Sequence, residues 1–394
     1  MQQGEQITVA LVWAQFAAYH IDRCEAVARR LQARAQIIAV EVATTSADYA
    51  WEPSGEIAGA RKITLFPGQS YNAISGPRRL WALLLTLRRC DWVMIGLSYA
   101  EPGPVLLSWL LRLCGVKLIV FSESKQDDKP RRALVEWGKR LALSCYHGAI
   151  VGAGRHRDYF RLLGFRRRPV LMGYDGVSIA RVRQQAGNVL APAGAEFSER
   201  PFVFVGRFVD KKNLITLIEA FAAYAAAAGS DARRLVLVGS GEEEAEMRQR
   251  IAALGVTALV GFPGFLSTNA VSRQLASALG LVLVSRVEQW GLVVNEALAL
   301  GLPAIVSRQV GARDALVRDG ENGFVVDSED VGQIAEAMLS LGKDRQLWEA
   351  MVAASHDRAW LGDSERLADA AELMLDPGSE PVTSRIAEFE REVQ

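Results

Sequence analysis

Short, almost unbroken apolar runs alternate with amphipathic segments through the first part of this chain, stop, and then begin again. The first series holds ITVALVW (7–13), AQIIAVEV (35–42), WVMIGLS (92–98), VKLIVFSES (116–124) and GAIVGAG (148–154). Helical spacing marks the stretches between them, among them 21–33, 104–115 and 131–144. The second series holds PFVFVGR (201–207), RLVLVGSG (234–241), TALVGFPG (257–264), LGLVLVS (279–285), PAIVS (303–307) and NGFVV (322–326), with helical patterns at 213–228 and 242–254. A strand that is apolar on both faces must be covered on both faces. Strands of that kind alternating with helices predict a parallel sheet between two helical layers. Two such series predict two Rossmann-like, doubly wound α/β domains facing across a cleft.

The interruption lies at 178–201, a stretch without strand pattern and rich in small residues, Pro and Gly. The expected organisation is an N-terminal domain over 1–185, a linker over 186–200, a C-terminal domain over 201–365, and a helical tail over 366–394 packing back toward the N-terminal domain. A length of 394 residues suits two cores rather than one. Four cysteines (Cys24, Cys90, Cys114 and Cys145) lack any metal-binding spacing and read as small apolar residues in a reducing compartment. The N-terminal residues lack the basic start and long apolar stretch of a secretory signal. The longest uncharged run, 251–272, is broken by Gly255, Gly261, Pro263 and Gly264, which argues against a membrane span.

Charge is neutral in total and uneven in distribution. Residues 1–190 hold 26 Lys and Arg against 15 Asp and Glu, and the remainder holds 19 against 30. The basic excess gathers over 125–168, in KPRR, KR, RHR and FRRRP. It is either a solvated surface or a face that attracts phosphates or anionic lipid head groups. No recognition motif accompanies it, so nucleic acid is not an expected partner.

In doubly wound sheets ligands bind beyond the carboxyl ends of the strands. One stretch there stands out: EQWGLVVNEALALGLPAIVS, 288–307, apolar but for Glu288 and Glu296. Glu288 follows the strand at 279–285, and Glu296 lies about one turn inside the next helix, whose side chains lean back toward its start. Between them Gly291 permits close backbone approach, and the amides of 291–293 are the unpaired donors of a helix start, suited to a phosphate. Arg207 and Lys212 follow the strand at 201–207 and supply two cations, enough for a diphosphate. Gly239 and Gly241 end a third strand and allow close ligand approach. A phosphate site flanked by carboxylates that accept hydroxyl protons suits a sugar nucleotide.

VGRFVDKKN, LVGSG, VGFPGFLS, EQWGLVVNEALALGLPAIVS and VGARDALVRDGENGFVV together resemble the C-terminal domain of the retaining GT-B glycosyltransferases of family 4. The resemblance covers 201–345 well. GAGRHRDYFRLLGF…MGYDGVS (152–178) is similar to the end of that family's N-terminal domain. It implies a GT-B fold and a donor site in which Glu296 holds the ribose and Glu288 contacts the sugar. The amides of Gly291, Leu292 and Val293 after Trp290, with Arg207 and Lys212, hold the diphosphate, and backbone near Phe262 and Pro263 meets the base. Gln289 stands where the family often has proline.

The N-terminal half departs further. The loop after the first strand lacks the family's glycines and holds Gln15, Phe16, Tyr19 and His20. The family's histidine after a later strand is replaced by GLSYAEP, with Ser98, Tyr99 and Glu101. His20 is a candidate substitute, contacting acceptor or donor phosphate, or else a structural residue at a helix start. Gln15, Tyr19, Tyr99, Glu101, Ser122, Glu123, Tyr174 and Asp175 are candidate acceptor contacts. His147, His156 and His356 have no constellation around them. There is no D-x-D, no metal-ligand spacing, no Walker loop and no G-x-S-x-G elbow.

The expected activity is metal-independent, retaining transfer of a hexose from a UDP- or GDP-sugar to an acceptor hydroxyl, with domain closure excluding water and no further cofactor. The acceptor is a glycan, a lipid-linked carrier or a small molecule. The setting is bacterial polysaccharide, lipopolysaccharide or glycolipid assembly, in the cytoplasm or at the inner face of an anionic membrane. A GT-B sugar-nucleotide epimerase and a non-catalytic sugar-nucleotide binding module are the alternatives.

Overall fold

A computed structural model describes residues 6–46 and 55–393. The chain divides into two compact units, one of residues up to Gly176 together with Ser364–Glu392, the other of Val177–Asp363. Among the described residues, the first unit's sheet has strands β1 (Ile7–Trp13), β2 (Ala35–Thr45), β3 (Ala60–Ser70), β4 (Trp92–Ile95), β5 (Lys117–Ser122), β6 (Gly148–Val151) and β7 (Val170–Met172). Their order is β3-β2-β1-β4-β5-β6-β7, every neighbouring pair parallel. Helices α1 (Ala18–Leu31), α2 (Gly76–Leu87), α3 (Pro102–Leu113), α4 (Ala133–Ala142) and α5 (Gly154–Leu162) connect the strands. The central strand β1 is fully buried over Val9–Val12, which is why it reads as a continuous apolar run.

The second unit opens with α6 (Ile179–Gln185). Its strands are β8 (Phe202–Val205), β9 (Leu235–Val238), β10 (Val260–Gly264), β11 (Gly280–Leu283), β12 (Ala304–Ser307) and β13 (Gly323–Val326). They form a parallel sheet of order β10-β9-β8-β11-β12-β13. Between them run α7 (Leu214–Ala228), α8 (Glu244–Ala253), α9 (Thr268–Ala276), α10 (Val293–Ala299) and α11 (Arg313–Leu316), and α12 (Val331–Lys343) and α13 (Arg345–Arg358) follow. The last two helices, α14 (Glu365–Leu375) and α15 (Glu380–Val393), follow the second unit in sequence. α14 packs on α1 of the first unit. Arg30 and Arg34 of the α1 segment pair with Glu365 at 2.6 Å and Asp376 at 2.9 Å.

The stretch expected to be a linker is folded onto the second unit instead. Arg200 is fully buried, and its guanidinium donates to five backbone carbonyls, those of Pro192, Ala193, Ala195, Ala276 and Ala278. The Ala191 amide donates to Leu300 O at 3.0 Å, and the His356 ring meets Ala191 O at 2.8 Å. The helix over 179–185, expected in the N-terminal domain, packs on α9 and α10. The division therefore falls at 176/177. A buried arginine that satisfies five carbonyls lets a Pro- and Gly-rich segment hold a fixed path without ladder partners.

Each sheet reverses its winding direction once. In the first unit this happens between β1 and β4, in the second between β8 and β11. The reversal opens a crevice beyond the carboxyl ends of those two strands, the place where such sheets bind ligands.

Candidate functional site

In the second unit the two loops flanking the reversal are laced together. After β8 the chain passes through a short turn, Asp210–Lys212, and reaches Asn213 with a left-handed backbone, φ 61°. The Asn213 side chain is buried, and its Nδ2 donates to Val284 O at 3.2 Å and Ser328 O at 2.6 Å. The Arg286 amide donates to Lys211 O at 2.9 Å. The turn is thereby fixed against the loop that follows β11.

This lacing presents a cation to a carboxylate across the crevice. Lys212 Nζ donates to Glu288 Oε2, and Ser285 Oγ donates to the same oxygen at 3.2 Å. Their side chains retain 14% and 12% of their exposure, enough for a ligand to reach and little enough to limit solvent screening. Glu288 is held from behind by a parallel bridge to Val310, and Ser285 O accepts from Ser307 Oγ at 2.6 Å. Gly291 follows with φ 101°, and a Cβ there would lie 3.0 Å from Leu283 Cδ2 and 3.4 Å from Glu288 Cγ. Glycine at 291 therefore serves both the backbone turn and the seat of Glu288.

The other expected donor residues distribute unevenly. Arg207 is exposed just after β8. Leu292 and Val293 are half-buried at the start of α10, and Glu296 is half-buried in its first turn. Trp290 is turned inward: its indole is buried and donates to Asn295 Oδ1 at 2.9 Å, while Asn295 donates to Gly362 O at 3.0 Å. Asn295, which carries no sequence signal of function, is the residue that fixes Trp290. Gly239, at φ 136°, exists for packing, since a Cβ there would sit 1.9 Å from Gly206 O, and one at Gly241 would sit 2.2 Å from Phe208 O. The Phe262 ring lies between the Arg248 guanidinium, 4.1 Å from its centroid, and Phe208, and Pro263 is exposed beside it.

At the first unit's reversal the loop after β1 is packed with polar groups. Gln15 is 2% exposed, and neither atom of its carboxamide has a hydrogen-bond partner among the described residues. Phe16 N donates to the buried Glu41 at 3.0 Å. His20 is buried, with Nδ1 accepting from Ala17 N at 2.9 Å and the ring against Trp13 and Tyr19. Burial lowers its pKa well below the ordinary value and Arg23 adds to this, so the ring is neutral with its proton on Nε2.

Arg23 was not foreseen as part of the site. It is fully buried, pairs with Asp175 at 3.3 Å, donates through Nε to Gly176 O at 3.2 Å, and lies 4.8 Å over Tyr19 and 4.4 Å over Tyr174. Asp175 is raised well above the usual carboxylate range, first by burial and then by the neighbouring Glu123, with Arg23 acting against both. Tyr174, expected to meet the acceptor, is buried, and its hydroxyl accepts from Trp13 Nε1 at 2.8 Å. Its phenol is part of the support. Tyr99 stands edge-on to Phe160, and burial pushes its pKa up. Glu101 accepts from Tyr71 Oη, just after β3, at 3.4 Å. The structure thus gathers Tyr19, His20, Glu123 and Tyr174 around Arg23 and Asp175, while Tyr99 hydrogen-bonds Ser122 and Ser124 on either side of Glu123 and Glu101 pairs with Tyr71. The signal for Arg23 is a charge inside the apolar stripe of α1, among Cys24, Val27 and Leu31.

Among the described residues no group of three or more His, Cys, Asp or Glu side chains is arranged to hold a metal ion. Residues 194–358 match the family model for glycosyl transferases group 1. The chain is 31% identical over 277 residues to the alpha-D-kanosaminyltransferase of Streptomyces kanamyceticus, covering 66% of this chain and 69% of that one. Its fold is similar to sucrose-phosphate synthase from Thermosynechococcus elongatus, with TM-score 0.71 and 18% identity over 94% of this chain and 99% of that one. It is similar again to Anabaena HepE in complex with UDP, with TM-score 0.69 and 16% identity over 94% of this chain and all of that one.

Proposed function

The chain belongs to the family of glycosyl transferases group 1, and we propose that it moves a sugar from a nucleoside diphosphate to an acceptor hydroxyl with retention of configuration. The observation that carries this reading is the Lys212–Glu288 pair spanning the β8/β11 reversal. As the glycosidic bond to the diphosphate breaks, the sugar gains oxocarbenium character and the leaving phosphate gains negative charge. Lys212 has three N–H donors. One is committed to Glu288, which aims the ammonium, and the others serve the phosphate oxygens. Arg207 adds a second positive charge, and the amides of Gly291, Leu292 and Val293 add dipoles fixed before the reaction begins. Glu288 accepts hydroxyl protons of the sugar with the lone pairs that Lys212 and Ser285 leave, and Glu296 does the same for the ribose. With charge met by these groups, the reaction is metal-independent.

Retention follows when the acceptor approaches from the face the diphosphate leaves and its proton passes to a phosphate oxygen, so that no enzymic nucleophile is needed. The donor is a UDP-sugar, a choice supported by the UDP bound in HepE, with GDP-sugars the comparison. The acceptor is a glycan or lipid-linked carrier handled by the basic first unit, in polysaccharide or glycolipid assembly on the cytoplasmic side of a membrane.

A panel of UDP- and GDP-sugars read by release of the nucleoside diphosphate tests the donor. Glu288→Gln and Lys212→Met should each lower turnover by about 10²–10³-fold, as losing one transition-state contact does, with circular dichroism unchanged. Rates within about threefold of the parent in both variants, a change of less than about 0.7 kcal/mol, would remove the pair from the mechanism.

A further inference from the structure

α4 is built the wrong way round for a helix of a soluble domain. None of its residues is buried. Its polar side faces the protein: Glu136 accepts from Lys139 at 2.8 Å and from Tyr159 Oη at 2.7 Å, and Tyr159 is buried in α5. Its apolar stripe, at spacing i, i+3, i+7, faces water, with Leu134 79% and Trp137 57% exposed and Leu141 beside them. A helix normally turns such a stripe into the core.

The neighbouring helices continue the pattern. α2 packs on α3, and the turn at Leu143–Cys145 that ends α4 also packs on α3. Ser108 of α3 and Tyr146 just past that turn share a 2.7 Å hydrogen bond. α2 keeps Leu83, Leu84 and Leu87 inside and exposes Trp81 and Leu85. α3 keeps Leu107 and Leu111 inside and exposes Trp109 and Leu113. Three adjoining elements thus each carry an exposed tryptophan and leucine, far beyond the scattered apolar residues of an ordinary surface.

The charge among these side chains has one sign. Arg78, Arg88, Arg89, Arg112, Arg132 and Arg140 are all exposed, and none has an acidic partner among the described residues. The acidic residues of 75–118 are Asp91 and Glu101, and that of α4 is Glu136; all three accept internal bonds, from Thr8 N at 2.7 Å, Tyr71 Oη at 3.4 Å and Tyr159 Oη at 2.7 Å. A protein partner would be met by anchors in a patch rimmed with mixed charge. Protruding tryptophans and leucines among arginines alone fit a surface that is apolar a few ångströms below a layer of phosphates.

We propose that the outer faces of α2, α3 and α4 form a docking surface for an anionic lipid bilayer, with the Trp and Leu side chains entering the interface and the arginines meeting the lipid phosphates. This deepens the proposed function by naming the face that brings the enzyme to a lipid-borne acceptor, and only that purpose rests on the reading of the activity.

The test is sedimentation of the full chain, without donor, on vesicles of phosphatidylcholine alone and of phosphatidylcholine with about one third phosphatidylglycerol. The parent should pellet with the second and stay in solution with the first, and should be released as salt rises from about 0.05 M to about 0.5 M. Trp81→Ser/Trp109→Ser/Trp137→Ser should weaken partition about tenfold or more. Each of Arg78→Gln, Arg112→Gln and Arg140→Gln should weaken it about fivefold. All these side chains are exposed, and unchanged release of nucleoside diphosphate from donor in solution reports that the variants are folded. Failure of the parent to bind anionic vesicles overturns the proposal, and so does equal binding by parent and both kinds of variant. Concentration-dependent dimers that the tryptophan variant abolishes, without vesicle binding, would overturn it in favour of a second copy of the chain. Vesicle binding without any donor turnover would keep the surface and refute the activity instead.

Discussion

Asn213 offers the sharpest test of how the donor site is held together. Two terms oppose its replacement by alanine. Its Nδ2 satisfies the carbonyls of Val284 and Ser328, both residues buried, and losing both bonds costs about 1 kcal/mol each. Its backbone is left-handed at φ 61°, which costs alanine about 1 kcal/mol more than asparagine or glycine. One term favours replacement: Asn213 Oδ1 is itself buried without a partner among the described residues, and removing it returns about 1 kcal/mol. The net for Asn213→Ala is a loss of about 2 kcal/mol. Asn213→Gly keeps the backbone geometry and should lose only about 1 kcal/mol. Asn213→Asp sets carboxylate oxygens against both carbonyls and should lose more than either, about 3 kcal/mol.

The assay is thermal and urea unfolding of the full chain, followed by near-UV circular dichroism. For a unit of this size, about 2 kcal/mol lowers Tm by about 4–8 °C. Donor turnover should fall further than stability suggests, because the same side chain fixes the turn that carries Lys212. Alanine and glycine variants that unfold together, both within about 0.5 kcal/mol of the parent, would show that neither strain nor lost bonds matter there. Asn213 would then not lace the crevice.

Gly239→Ala forces a Cβ to within 1.9 Å of Gly206 O, so the loops after β8 and β9 must part. It should cost about 3 kcal/mol or more by urea unfolding and weaken retention of nucleotide in equilibrium dialysis. His20 is neutral when folded, so below its ordinary pKa the unfolded chain binds a proton that the native chain refuses. Its contribution is therefore complete above about pH 6.5 and is lost as pH falls toward the lowered native value. Urea midpoints at about pH 7.5 and about pH 5.5 should differ less in His20→Gln than in the parent, and an unchanged difference would count against a buried neutral ring. Gln15→Leu removes two buried polar atoms that nothing satisfies, and should raise Tm by a few degrees, on the order of 1 kcal/mol. If that carboxamide is kept for a ligand, the same change raises the KM for acceptor without altering the KM for donor.

Sequence patterning served best where burial was greatest. All six strands of the second sheet lie within apolar runs, and the four inner ones, β8, β9, β11 and β12, are buried along most of their length because helices cover both faces of the sheet. The strands it missed, β3 and β7, are the two edges of the first sheet. β3 is half-buried over most of its length, contains Pro67 and Gly68, and shifts register against β2, all tolerable where one side of the ladder is open. The segment 186–200 reads as a linker for a related reason: it is fixed by Arg200, His356 and the Ala191 amide, single side-chain and backbone bonds that leave no periodic pattern.

The site divides along the same line. Position after a strand tells which residues reach the crevice, and it brought Lys212 and Glu288 together although 76 positions separate them. It does not tell which way a side chain turns. Trp290 and Tyr174 stand at the right places and point inward, while Arg23 and Asp175, 152 positions apart, meet because Arg23 of α1 bonds to the turn that follows β7. α4 shows the limit most clearly. Its spacing announces an amphipathic helix, and the ordinary inference buries the apolar side. Here Glu136 and Lys139 are tied to the buried Tyr159, and a helix so short can turn only one side to the protein. Leu134 and Trp137 are therefore left outside by a tertiary contact more than twenty positions away, which no local pattern can register.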